Sequence, residues 1–201
     1  MQGKELKQQK AVLISIQPRW CELIASGKKT VEVRKTAPKL ETPFKCYIYC
    51  TNKKPFLVWG DVFDGGSFNN EFTHLSGYNR KAAEEIWDVF NGNVMGEFVC
   101  DKVFDICIEM SSPDDLHGYP FPGTGLTDKE ILQYLGNGKT GYGWHISDLV
   151  IYDTPKALSD FTIECKGGCD IPFLYRHPCE NCGKNKLTRP PQSWCYVEVE
   201  K

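Results

Sequence analysis

The sequence predicts an α+β fold built on a mainly antiparallel sheet that can close on itself. Short apolar or alternating runs of strand length outnumber helical patterns. Strands and helices also fail to alternate regularly, so the crossover helices of a parallel α/β sheet are too few. A third observation is size: 201 residues, 41% hydrophobic and 25% charged, can bury one substantial core, which favours a single body with an appendage.

The elements follow in order. "AVLISI" (11–16) is an apolar run of strand length. Pro18 suits the first position of a helix whose Trp20, Leu23 and Ile24 share a face, and Gly27 suits its end. Val31 and Val33 then alternate with Thr30, Glu32 and Arg34, the period of a half-buried strand. "PFKCYIYCT" (43–51) and "VMGEFVCDKVFDICIEM" (94–110) are strand-like, and the second is long enough to cross a barrel or bend between two sheets. Between them, "NRKAAEEIWDVFNG" (79–92) predicts a helix with Ala82, Ala83, Ile86, Trp87 and Phe90 on one face and Asn91-Gly92 as its stop. "TDKEILQYLGNG" (127–138) opens with Thr127 and Glu130 at capping-box spacing and buries Ile131, Leu132 and Leu135. "GWHISDLVIYD" and "SWCYVEVE" read as later strands, with Thr154-Pro155 opening a helical turn before Phe161.

The formal net charge of −2 argues against a chain that coats nucleic acid indiscriminately. Its distribution is uneven. Residues 1–40 carry seven Lys and two Arg against three Glu, whereas residues 97–130 carry eight carboxylates against two Lys. A local anion-binding face on a nearly neutral protein is compatible with that asymmetry. No apolar run reaches the ~18 residues of a membrane span, and "MQGKELKQQK" has no signal-peptide core, so a cytoplasmic protein is expected. Ten cysteines in such a chain must then be buried thiols, metal ligands or redox groups. Cys46, Cys50, Cys100 and Cys107 lie in strand-like runs and are expected in the core.

In "GKKTVEVRK" (27–35), Lys28 and Lys29 supply ammonium groups, Thr30 a hydroxyl, Glu32 a carboxylate and Arg34 a planar fork suited to phosphate. The set could bind a sugar-phosphate or perform acid–base work. Equally, the lysines could form a solvated turn and Glu32 and Arg34 an ordinary ion pair. "LISIQPRWCELIASGKKTVEVRK" resembles the opening of the ASCH family, of the PUA-like β-barrels: an apolar strand, a helix, then Gly27, Lys28, Lys29, Thr30, and a strand with Val31, Val33 and Arg34. "GEFVCDKV", "GYGWHISDLVIYDTPKALSDF" and "RPPQSWCYVE" look like later parts of longer, phage- or prophage-type members.

That resemblance implies a PUA-like barrel decorated by helices, with a cleft at the GKKT turn suited to RNA or a nucleotide. Some similar proteins are amidohydrolases on acetylated cytidine, and others are described as ribonucleases. Carried across, the hydrolase lysine is Lys29, but Glu32 stands where a second threonine is expected, and Glu97 is a candidate for the distant glutamate. If the chain is an enzyme, Lys29, Thr30 and Glu32 are its catalytic candidates. A nucleophilic lysine needs its pKa lowered by burial or a neighbouring cation; Lys28 and Arg34 would help, and Glu32 would oppose.

Further ligand-binding candidates are Trp20, His145, Gln192, Ser193 and Trp194. His145 lies in "GYGWHISD", where glycines permit close approach and an aromatic could stack on a base, or where Trp144 is core and His145 a plain strand residue. "RPPQSW" (189–194) is either a rigid loop offering Gln192 and Ser193 to a base edge or a stiff approach to a buried Trp194. His74 and His117 are assigned no role.

Cys165 and Cys169 are separated by three residues and Cys179 and Cys182 by two, a pattern suited to one tetrahedral structural zinc, with Cys195 or His177 able to replace a ligand. The expected organisation is an extension at 1–10, an ASCH, PUA-like barrel at 11–164, a small cysteine-rich insertion at 165–186 and a closing strand at 187–201. Recognition of RNA or a nucleotide is the expected function; a hydrolase and a protein-interaction adaptor are the alternatives.

Overall fold

The computed structural model describes residues 10–64, 67–108, 121–163 and 186–198. Along them run β1 (Lys10–Ile16), α1 (Pro18–Ala25), β2 (Val31–Arg34), β3 (Phe44–Cys50), β4 (Phe56–Asp64), β5 (Ser67–Leu75), α2 (Arg80–Glu84) and β6 (Asp88–Val89). They continue as β7 (Val94–Cys100), β8 (Val103–Ile106), α3 (Asp128–Leu135), β9 (Gly141–His145), β10 (Ser147–Lys156) and β11 (Trp194–Glu198), with a 3-10 turn at Leu158–Asp160.

Three sheets form: β10-β7-β3-β1-β11, β2-β9-β8 and β5-β4-β6. Every pairing is antiparallel except β1 with β3, whose connection passes through α1 and β2. β7 continues into β8 across Asp101 and Lys102, and β9 into β10 across Ile146. The first two sheets are therefore one wrapped surface, bent at two corners, as the length of "VMGEFVCDKVFDICIEM" predicts. The fold is α+β and mainly antiparallel.

β1 is an interior strand of this surface, between β3 and β11, and is covered on both sides. Val12, Ile14 and Ile16 face the cluster with Cys46, Ile48, Phe98 and Trp144, while Ala11 and Leu13 join Tyr47, Val94, Phe161 and Val197. A strand buried on both faces reads as an unbroken apolar run, which is why "AVLISI" does not alternate. α3 begins as its sequence predicts: Thr127 Oγ1 accepts from Glu130 N at 3.3 Å and Glu130 Oε2 accepts from Thr127 N at 3.0 Å.

Several expectations are corrected. The helix over 79–92 ends at Glu84, because the chain after it pairs with β4: Val58 opposes Val89 and Trp59 opposes Asp88. Ile86 is consequently 63% exposed rather than core-facing. Asn91 does more than stop a helix, since its side chain accepts from Leu57 N and donates to the carbonyls of Lys53 and Pro55. The β4–β5 hairpin is an addition to the expected elements. Thr154-Pro155 belongs to β10, and the helical turn expected before Phe161 forms later, at Leu158–Asp160. Cys107 is exposed, whereas Cys46, Cys50 and Cys100 are fully buried. The cysteine-rich stretch 165–186, including Cys165, Cys169, Cys179, Cys182 and His177, lies outside the described residues apart from Lys186. Among the described residues no cluster of three metal-ligating side chains forms, and no helix is long and apolar enough to cross a membrane.

Candidate binding cleft

Gly27, with φ at +73°, ends α1 in the left-handed conformation that a side chain would disfavour. The turn folds back so that Lys29 N donates to Leu23 O at 2.8 Å, which carries the Lys29 side chain inward. β2 then departs from the half-buried strand its alternation predicts: all four residues are buried. Val33 packs with Ile106, Leu126 and Ile131 beneath α3, and Glu32 and Arg34 face the opposite way, into the seam between β2 and β1.

That seam is joined by side chains. Arg34 Nη2 donates to Ser15 O at 2.7 Å, Arg34 Nη1 lies 3.4 Å from Ser193 Oγ, and Ser15 Oγ donates to Pro191 O at 2.7 Å. Glu32 holds the two cations on either side: its Oε1 is 2.9 Å from Arg34 Nη2 and its Oε2 is 3.3 Å from Lys29 Nζ. Lys29 Nζ also donates to Val31 O at 2.8 Å and Thr124 O at 2.6 Å. Burial pulls the Lys29 ammonium below its ordinary pKa, with Arg34 adding to that and Glu32 opposing it. Lys28, expected to lower it, is exposed.

Above this buried row opens a cleft of about 750 Å³, within the usual range for a small-molecule or nucleotide site. Lys29, Glu32 and Arg34 line it, with Trp20 from α1, Gln192 and Ser193 from the approach to β11, and Tyr134 and Glu130 from α3. Tyr49, Thr51, Asn52 and Lys53 complete one wall. Its charged lining comprises three cations (Lys29, Arg34, Lys53) and two carboxylates (Glu32, Glu130), a small positive excess. Among the described residues, Thr51 Oγ1 and Arg34 Nε are buried without a hydrogen-bond partner.

The structure thus gathers Trp20, Lys29, Glu32, Arg34, Gln192 and Ser193 around one cleft. The other expected residues lie elsewhere. Thr30 sits against Gly123, whose carbonyl accepts from both Thr30 N and Val31 N. Trp194 packs on Trp144 and Tyr196 and donates from Nε1 to Thr36 Oγ1 at 3.1 Å. His145 is half-exposed at the Asp101 corner, its Nδ1 2.7 Å from Asp101 Oδ1, and that hydrogen bond holds the Asp101 carboxyl below its ordinary pKa. His74 contacts Glu22 at 3.3 Å.

Glu97 is likewise absent from the cleft lining. It stands on β7 with its Oε1 2.7 Å from Lys45 Nζ and its Oε2 accepting from Tyr152 Oη at 2.6 Å. Burial alone would raise its pKa, but those hydrogen bonds and the charges of Lys45 and Lys156 outweigh it and hold the carboxyl below its ordinary value. A depressed carboxylate pKa stabilises the fold above the unfolded value of about 4.3, and the contribution disappears as pH falls through the folded value. Glu97→Gln is therefore expected to lower the urea midpoint at pH 7, the gap to wild type shrinking below about pH 4. A gap independent of pH would mean that the charge of Glu97 contributes nothing.

No family model matches the chain, and no curated protein matches it. Solved structures do. A crystal structure of a serine-to-alanine mutant of the ASCH protein from Zymomonas mobilis is 15% identical, with a TM-score of 0.50, covering 96% of this chain and 91% of that one. The structure titled simply ASCH from the same organism is 15% identical at a TM-score of 0.48, covering 95% and 88%. A tyrosine-to-phenylalanine mutant is 16% identical at 0.44, covering 74% and 76%.

Proposed function

On a chain that has the fold of the ASCH domain, we propose that the cleft binds RNA or a nucleotide. The observation that carries this reading is the buried Lys29–Glu32–Arg34 row beneath a cleft with aromatic walls and amide groups. Two cations around one carboxylate leave a positive excess facing the cavity, which favours an anionic ligand. Trp20 and Tyr134 offer aromatic surface, and Gln17, Asn52, Gln133 and Gln192 offer paired donors and acceptors that suit base edges. Only a few phosphates can be matched by so small an excess of charge, so recognition is of a short unit rather than a long backbone.

Recognition has better support than nucleophilic hydrolysis. The Lys29 ammonium directs its donors to three oxygens, those of Val31, Thr124 and Glu32, and a nucleophilic amine would have to give up that arrangement as well as a proton.

The test uses labelled single-stranded RNA and nucleoside monophosphates at several salt concentrations, with chromatography of the same samples for product. Wild type is expected to bind saturably, to weaken as salt rises, and to return the ligand unchanged. Lys53→Glu, which alters an exposed rim residue, is expected to weaken binding at least threefold and flatten the salt dependence. Product formation lost in Lys29→Met would establish the hydrolase instead. No binding at any salt would favour a protein-interaction adaptor.

A further inference from the structure

The free aromatic surface of the cleft identifies where a base would stack. Trp20 already carries two cations: the Arg19 guanidinium carbon lies 4.0 Å from its ring centroid and Lys29 Nζ 5.4 Å from it. Arg19 is also pinned there by its 2.6 Å ion pair with Glu130. Tyr49 is only 5% exposed, which leaves little of its ring for a ligand.

Tyr134 differs from both. It lines the cleft and is 38% exposed. Its backbone is firmly held, because α3 is capped by Thr127 and Glu130 and anchored by fully buried Ile131. Leu135, the next residue, packs so closely on Gly141 that a methyl group there would meet both Leu135 Cδ atoms, at 2.5 and 2.7 Å. Such a support fixes the point on the cleft wall from which the ring projects.

Lys35, immediately after β2, places its ammonium 5.2 Å from the Tyr134 ring centroid. It is exposed, and among the described residues no ion-pair partner holds it. An exposed cation–π contact is weaker than base–aromatic stacking, so an arriving base can displace the ammonium, which has the reach to meet an adjoining phosphate.

We propose that Tyr134 is the stacking platform of the cleft and Lys35 its phosphate contact, so that the unit recognised is one base with one phosphate. This rests on the RNA-or-nucleotide reading and specifies it. The same chemistry is offered by a free nucleoside monophosphate and by one nucleotide of a single-stranded RNA.

The experiment measures binding of the four nucleosides, their 5′-monophosphates and a single-stranded RNA decamer to wild type, Tyr134→Ala, Tyr134→Phe and Lys35→Gln, with thermal melting of each protein. Tyr134→Ala is expected to weaken every bound ligand about 5- to 150-fold without changing the melt, and Tyr134→Phe to stay within about twofold of wild type. Lys35→Gln should weaken monophosphates while leaving nucleosides unaffected. Monophosphates binding as tightly as the decamer would make a free nucleotide the ligand; much tighter decamer binding would place the same unit within RNA. Wild-type affinity in Tyr134→Ala, in a protein whose wild type does bind, overturns the platform alone. A wild type that binds none of these ligands overturns the functional reading and the platform together.

Discussion

Glu32→Ala is expected to destabilise the fold by about 3–5 kcal/mol, read as a lowered urea midpoint. Both of its carboxylate oxygens are committed, one to Lys29 and one to Arg34, and all three residues are less than a tenth exposed. Its loss leaves two cations buried together with only backbone carbonyls and a serine hydroxyl around them. Uncompensated buried charge accounts for most of that cost, so removing a cation as well should recover part of it. Glu32→Leu combined with Lys29→Met is therefore expected to be more stable than Glu32→Ala alone. If the single variant melts like wild type, the buried row is not held by electrostatics as described.

Gly96→Ala is expected to cost about 1–3 kcal/mol, the range for forcing atoms into a packed interior. Gly96 lies in β7 between Ile48 of β3 and Ile151 of β10. An added Cβ would fall on the Val150 carbonyl oxygen and lie 3.1 Å from the Ile151 Cα, so backbone rather than a movable side chain stands in its way. Relief would require β10 to separate from β7 near a register shift that already falls after Ile151. A urea midpoint unchanged by the substitution would show that β10 can yield there without loss.

These two positions also show what the sequence made legible. The strand–helix–turn–strand opening is plain because local rules act on it: an apolar run, Pro18 at the helix start, Gly27 at its end and alternation after it. The Thr127–Glu130 cap is equally local. Glu32 and Arg34 are visible as candidates, but not their burial, because the side chains that pack on β2 come from Ile106, Leu126 and Ile131, far along the chain, and the Arg34 partners are Ser15 and Ser193. Tyr134, Tyr49 and Lys53 are not distinguishable in the sequence, since they join the cleft from α3, β3 and the turn after β3 and carry no motif. Their remaining signal was modest: Tyr134 is the aromatic on a helix whose other large apolar residues are needed for the core.

The overturned helix has a physical cause as well. Ala82 through Phe90 have helical spacing, yet pairing of β6 with β4 and the Asn91 side chain's hold on Leu57 N outweigh that local preference. His145 takes the plain-strand alternative its sequence allows: Trp144 is buried, and β9 pairing with β2 places His145 at the Asp101 corner. Trp194 follows the bland alternative its sequence allowed and packs on Trp144, while Ser193 and Gln192 just before it reach the cleft.

The most direct test of the account is an NMR titration of the isotopically labelled protein with a nucleoside monophosphate that binds it. The expected result is a set of shifts concentrated on the Trp20 indole, the Gln133 and Gln192 side-chain amides and the backbone of 32–35, with the Asp101–His145 corner unmoved. Shifts centred on His145 and Asp101, with the cleft silent, would contradict it and place recognition at that corner instead.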